Sequence, residues 1–320
     1  MSDISNIAGP LNDRTGRLVD RLLAAADSVR AEVHKIGGAT VIDLGIQARG
    51  GLEAGQALAE ICLAGLGSAA LVPSRPDVWP GPAVSVATDH PVAACMASQY
   101  AGWQISVGKY FAMGSGPMRA AAGKEALFDA IGHRERPSRV VGVLETCKLP
   151  PPEVVTQIAS DCGIEPKMLS LLVAPTASQA GTVQIVARSI ETTLHKLFEL
   201  GFDLSRVESG WGVAPLPPVA ADDLTGIGRT NDAILYGAEV TLWVRGDDAS
   251  LEAIGPRVPS SASSDHGQPF KTIFERYNRN FYDIDPHLFS PAVVTLANLD
   301  TGRTHRHGQL VPRLIHESFA

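Results

Sequence analysis

The stretch from Ser178 to Gly201 constrains this chain most. Val183, Val186, Ile190, Leu194 and Leu197 recur at three- and four-residue intervals. A helix gathers them into one apolar stripe, which must be buried against the rest of the fold. Ser178 can cap its start, Lys196 lies in the last turn and Gly201 supplies a C-terminal stop. The spacing therefore predicts one continuous helix. Arg188 and Glu191 are neighbours on its surface and their side chains can meet. Both point away from the middle of the stripe, Arg188 further than Glu191. Two readings of the pair are open from spacing alone. One is a solvated ion pair worth roughly 0.2–0.5 kcal/mol. The other is a carboxylate held by an arginine, a device for activating a water beside a cationic substrate.

The chain has 320 residues, enough for two domains or one large one. With 45% hydrophobic and 19% charged residues it can bury a sizeable core, and its net charge of −7 leaves no electrostatic footprint for nucleic acid. No run of Lys and Arg suggests an anionic membrane surface. The longest apolar candidate, from Leu58 to Pro73, is interrupted by Glu60, Gly65, Gly67 and Ser68. No basic segment followed by an apolar run marks a signal peptide at the N-terminus. A soluble cytoplasmic protein is expected. Cys62, Cys95, Cys147 and Cys162 form no C-x-x-C pair, so reduced thiols are expected. His305 and His307 are close together, but no recognised spacing supplies a third ligand, and no metal is expected.

Along the chain, helices are expected over Asn12–Glu32, from Gly51 to Leu66, over Pro117–Gly132 and over Pro152–Cys162. Strands are expected at Thr40–Leu44, Ala83–Thr88, Trp103–Tyr110, Val140–Leu144, Leu169–Ala174, Val207–Val213, Glu239–Val244 and Val293–Leu296. The charged, proline-bearing segment His133–Arg139 is the clearest shift in composition. It divides the chain into two α+β domains, residues 1–134 and 140–320. An arrangement in which the C-terminal segment packs back on the first domain stays open. Neither G-x-G-x-x-G after a strand nor a G-x-x-x-x-G-K-[ST] loop is present, so no nucleotide fingerprint is found.

Three further segments could carry chemistry. In Gly114-Ser115-Gly116, glycines flank a serine just before a helix, with Arg119 at hand. Backbone N–H groups there could cradle an anion, or the segment could be a tight strand-to-helix turn. Gly226–Asp232 packs Arg229, Thr230, Asn231 and Asp232 together. They form a dense set of donors and acceptors suited to the edge of a heterocycle, or a capped turn. Phe281–Asp285 with His287 and Phe289 places aromatic and acidic groups together, either flanking a planar ring or simply packing.

Met113-Gly-Ser-Gly-Pro, Gly142-Val-Leu-Glu-Thr, Ala187-Arg-Ser-Ile-Glu-Thr-Thr-Leu-His-Lys-Leu, Gly228-Arg-Thr-Asn-Asp-Ala-Ile-Leu-Tyr-Gly and Phe281-Tyr-Asp-Ile-Asp follow one another in this order. Together they resemble the methenyltetrahydromethanopterin cyclohydrolases over essentially the whole chain, the bacterial members found in methylotrophs being the nearer match. The resemblance implies a family-specific α+β fold of two domains around a deep interdomain pocket, a homotrimer, and no cofactor or metal. It implies hydrolysis of the cationic methenyl bridge of a tetrahydromethanopterin-type carrier to the 5-formyl product, in one-carbon metabolism and formaldehyde oxidation. Arg188 and Glu191 then match the family's catalytic pair, and Glu145 a glutamate of the pocket. The Gly-Ser-Gly and Arg-Thr-Asn-Asp segments match positions around it. Hydrolysis of the folate analogue and non-catalytic pterin binding are the alternatives.

Overall fold

Val140–Leu144 and Leu169–Ala174 are almost wholly apolar, the pattern of strands covered on both faces. The computed structural model, which describes residues 9–320, places both at the centre of a six-stranded sheet. The elements follow in the order α1 (Leu11–Ala24), β1 (Glu32–Ile36), β2 (Ala39–Asp43), α2 (Leu52–Cys62), β3 (Gly67–Pro73), β4 (Pro82–Thr88), a π-helix (Val92–Gln99), β5 (Trp103–Val107), β6 (Tyr110–Ser115), α3 (Met118–Ala122), α4 (Leu127–Ile131), β7 (Val140–Glu145), α5 (Pro152–Asp161), β8 (Leu169–Ala174), α6 (Gln179–Val186), α7 (Ser189–Glu199), β9 (Val207–Pro215), α8 (Asp223–Gly237), β10 (Glu239–Val244), α9 (Asp248–Ile254), α10 (Phe270–Arg276), β11 (Val293–Asn298), β12 (Thr304–Gly308) and α11 (Pro312–Phe319). The architecture is α+β, with two mixed sheets. Among the described residues no helix is long and apolar enough to cross a membrane.

The chain forms two compact units. The first comprises residues up to Ser68 together with Ala93–Gln184; the second comprises Ala69–Val92 and Ile185–Ala320. The expected division near residues 134–140 lies inside the first unit, because β7 pairs with β6 on one side and with β8 on the other. The C-terminal segment belongs to the second unit, where α11 packs on α8.

In the first unit the strand order is β1-β2-β8-β7-β6-β5, with β2, β8 and β7 parallel. Side chains alternate between the faces of a strand. Val41, Leu144, Leu171 and Val173 enter one core with Val154, Val155 and Ile158 of α5. Ile42, Val141, Val143, Leu172 and Ala174 enter the other with Val19 and Leu22 of α1 and Leu58 and Ile61 of α2. Buried Asn12 ties α1 to this sheet. Its amide nitrogen donates to Pro117 O (2.8 Å) and Glu135 Oε2 (2.9 Å), and its oxygen accepts from Val141 N (3.0 Å). Buried Asp43 ends β2, its two carboxylate oxygens accepting the N–H groups of Gly45, Ile46, Gln47 and Ala48 at 2.6–3.0 Å.

The second unit is built on the sheet β12-β11-β10-β9-β4-β3. Helix α7 packs on β9 and β10. Two glycines of β9 permit the close approach. A Cβ at Gly212 would lie 2.4 Å from Ser189 Oγ, and one at Gly210 would lie 2.9 Å from Ile190 Cγ2. The first turn of α7 therefore rests directly on strand backbone.

Several expected elements are divided differently. Helix α1 stops at Ala24, short of the expected end at Glu32, and turns lead from it into β1. A Gly37-Gly38 turn with both φ values positive (56° and 93°) joins β1 to β2, the geometry of a two-residue hairpin. The expected strand at 103–110 turns back at Gly108 (φ 59°) into β6, so Ser115 ends a second strand. The expected helix at 117–132 is two short helices, α3 ending at left-handed Gly123.

Gly212→Ala drives a methyl group into Ser189 at the start of α7. The expected cost is about 1–3 kcal/mol of unfolding free energy, measured by urea denaturation; an unchanged midpoint and slope would remove the close approach as a constraint.

Candidate active site

The expected single helix from Ser178 is two. Ser178 caps the first as read, its Oγ accepting from Gly181 N at 3.0 Å. Helix α6 then ends at Val186, and Arg188 adopts φ −88°, ψ 8° as the residue before α7. Its N–H bonds Ile185 O (3.0 Å), while its carbonyl accepts Thr192 N (2.9 Å) to open the next helix. Glu191 is thereby placed in the first turn of α7, where exposed amide dipoles favour a negative charge. The far end closes as read. Gly201 is left-handed (φ 77°), Gly201 N donates to Phe198 O and Phe202 N to Leu197 O, both at 2.9 Å, a Schellman stop.

The junction at Ala187–Arg188 changes the character of the pair. Arg188 is only 5% exposed and Glu191 only 4%. An exposed ion pair would contribute little, but charged groups withdrawn from water are retained only with partners or a role. Ser189 and Thr193 beside them are fully buried, and Thr193 Oγ1 donates back to Ser189 O at 2.8 Å. One helix turn thus carries a buried carboxylate, a buried guanidinium and small hydroxyl groups.

Lys196, in the last turn of α7 as read, is also buried, with Nζ donating to His287 O at 2.5 Å. Burial pulls its ammonium down to about 8, against the raising effect of Asp285.

In the first unit, Gly114 and Ser115 lie on β6 beside β7, with Ser115 paired to Val143 and Met113 to Glu145. Glu145 is half-buried at the end of β7 and accepts from Gln184 Nε2 at 2.9 Å. Gly116 N donates to Ser98 O (2.9 Å), within the protein rather than toward a ligand. Arg119, expected beside an anion, is fully buried and bound internally. It grips Glu125 in two-pronged fashion (2.8 and 2.6 Å) and donates to Met96 O and Ser98 O of the π-helix. Its guanidinium also lies over the Tyr100 and Phe128 rings. Arg119 therefore closes the end of an unusual helix whose carbonyls need donors.

The Gly226–Asp232 segment is not a loop but the body of α8. Thr230 Oγ1 and Asn231 Nδ2 donate to Gly226 O and Ile227 O of their own helix (both 2.9 Å). Arg229 donates to Ser318 O and Ala320 O, holding the end of α11. Asp232 accepts from Phe270 N (2.8 Å) at the start of α10. Phe281 and Phe289 join Phe270 in an aromatic cluster, the packing alternative. Among the described residues, one group with metal-ligand chemistry converges, Glu32, His34 and Asp43. The four N–H groups already on Asp43 occupy its oxygens. His305 contacts Asp248 at 3.2 Å.

The sequence reading missed Gln184 and the π-helix. Gln184 sits on α6 four residues before Arg188, a polar residue in an apolar run, and that local contrast was its available signal.

Burial pushes the Asp232 carboxyl up to about 7, opposed by bonds from Ser318 and Phe270. A carboxyl raised in the folded state holds its proton longer than in the unfolded chain. Its contribution to stability is greatest below about pH 4 and falls as pH rises to about 7. Asp232→Asn keeps an acceptor and cannot ionise. The variant is expected to gain stability on wild type between pH 5 and pH 8, by on the order of 2 kcal/mol, in parallel denaturation curves; a constant difference across that range would reject the assignment.

Comparisons with known proteins agree over the full length. The family model described as "Cyclohydrolase (MCH)" matches residues 10–319. A methenyltetrahydromethanopterin cyclohydrolase of Rhodopirellula baltica is 50% identical over 306 residues, covering 94% of this chain and 92% of that protein. One from Xanthobacter autotrophicus is 49% identical over 304 residues, covering 94% and 90%. One from Methanosarcina barkeri is 43% identical over 313 residues, covering 97% and 98%. A buried Arg-x-x-Glu pair at the head of a helix and this end-to-end similarity lead to one assignment: the chain belongs to the methenyltetrahydromethanopterin cyclohydrolase family.

Proposed function

We propose that this chain hydrolyses the methenyl bridge of 5,10-methenyltetrahydromethanopterin to the 5-formyl compound, with Glu191 as proton acceptor and donor and Arg188 as its partner. The observation that carries the reading is the burial of both side chains within the first turn of α7. The relatives that span the chain carry this activity in their names.

The methenyl carbon bridges two nitrogens in an amidinium cation. It is electrophilic already, and attack by water requires only that a proton be removed as the C–O bond forms. A positioned carboxylate typically supplies 10²–10⁴-fold in such a step. Glu191 takes that proton. The C–N10 bond of the hydrated ring then breaks as N10 receives the proton back from Glu191. The hydroxyl proton leaves to solvent as the formyl C=O forms on N5. Cation and water thus become a neutral formyl compound and one released proton.

Two roles are open to Arg188, orienting the carboxylate or polarising the nascent formyl oxygen. Glu145, with Gly114 and Ser115 on the adjoining strand and Gly116 just after it, is read as belonging to the substrate region of the first unit. Arg119, Arg229, Thr230, Asn231 and Asp232 are the further residues read for substrate binding, and each also makes the internal bonds described above. The enzyme is further read as a cytoplasmic homotrimer serving formaldehyde oxidation, and sedimentation of the purified protein tests the assembly.

Glu191→Gln is expected to keep the fold and substrate affinity and to lose turnover by about a hundredfold or more. Following the methenyl chromophore reads this directly, and near-normal turnover would reject the proton-transfer role. The same assay with the folate carrier, and with a chelator, tests carrier choice and the metal-free chemistry; a chelator-sensitive rate would overturn the latter. Arg188→Gln is expected to lower activity and displace the pH–rate curve. An unchanged curve would leave only the polarising role.

A further inference from the structure

Four side chains of the first unit form a line of hydrogen bonds. Gln184 Nε2 donates to Glu145 Oε1 at 2.9 Å. Cys62 Sγ lies 3.6 Å from Gln184 Oε1 and 3.7 Å from Ser115 Oγ. Gln184, Cys62 and Ser115 are each fully buried, whereas Glu145 is only partly buried. The line therefore runs from the interior to a partly accessible carboxylate.

Its direction follows from donor and acceptor capacity. An ionised carboxylate only accepts, so Gln184 must turn its NH₂ toward Glu145. The amide oxygen then faces Cys62 and takes its S–H. The sulfur, having given its proton, is left to accept from the Ser115 hydroxyl. Each link orients the next, and reversing one would set two acceptors face to face. Cys62 is anchored in turn, since its carbonyl accepts Ser98 Oγ at 2.5 Å.

We propose that Gln184 is a positioning residue of the substrate region in the first unit, holding the Glu145 carboxylate in one orientation through the Ser115–Cys62–Gln184 line. The inference rests on the reading of Glu145 as a substrate-region glutamate. Gln184 does not touch substrate; it acts through Glu145. Its place just before Arg188 in the chain also makes one short segment, 184–191, the carrier of both the positioning amide and the proton-transfer pair.

The test is a double-mutant cycle on the full-length protein, assayed by loss of the methenyl chromophore. Gln184→Met preserves length and volume and removes the donor. In the wild-type background it is expected to lower kcat/KM by about tenfold or more. In a Glu145→Gln background the same change is expected to cost less than about twofold, because the group it positions is already gone. A general packing role predicts equal losses in both backgrounds, and that result overturns the proposal. So does wild-type kcat/KM in either single variant. Thermal unfolding of each variant checks the fold. Should Gln184→Met not fold, Gln184→Asn, which withdraws the amide by one methylene, enters the same cycle with the same two outcomes. Absence of hydrolysis by the wild-type protein removes the reaction reading and this inference with it, whereas the cycle by itself removes only the inference.

Discussion

The contact between the first turn of α7 and the bare backbone of β9 is the constraint on which the candidate site depends. Gly210 and Gly212 lack the Cβ atoms that would meet Ile190 and Ser189. That absence lets the helix settle on the strand and draws Arg188 and Glu191 out of solvent. Packed interiors tolerate little adjustment, so a side chain on either glycine must lift the turn or distort the strand. The arrangement suits the proton-transfer role proposed for Glu191. The carboxylate is held on a regular element and its motion is limited by the sheet beneath.

Three polar side chains buried elsewhere are each tied to specific partners. Asn12 satisfies a backbone amide of β7, a carbonyl and a carboxylate. Asp43 gathers four amides at the end of β2. Arg119 combines a carboxylate with two carbonyls of the π-helix. An unmet donor or acceptor in such places costs about 1–3 kcal/mol, so these residues specify geometry as well as stability. They also show why residue type alone is a weak guide to ligand binding. Arg119 and Arg229 both looked like ligand-binding cations, and both hold protein carbonyls.

The sequence was most legible where the relevant physics is local. The strands at 40–44, 83–88, 140–144, 169–174 and 239–244 are present to within about two residues, as is the helix at 152–162. Their apolar runs and flanking Pro and Gly residues act within a few positions. Legibility fell where a nearby pattern admitted two outcomes. Val29 and Val33 extend the spacing of α1, yet a paired strand claims Val33. Helix α8 was hidden because Gly226, Gly228, Thr230 and Asn231 are poor helix formers. Packing against α10, α11 and β9 overrides that preference. The π-helix has no readable signature, since its unusual carbonyls are satisfied by Arg119 from a later segment.

By itself the sequence determined that residues 178–201 bury an apolar stripe, where that stretch begins and ends, and which family the chain joins. These follow from periodicity, from a serine cap and a left-handed glycine, and from long motifs in order. Tertiary structure alone decided that the stripe breaks at Ala187–Arg188 and that the acid and guanidinium lie inside. Periodicity says which face of a helix turns inward. How deep the polar side goes depends on the surface it meets, and Gly210 and Gly212 reach that surface from some twenty residues further along the chain.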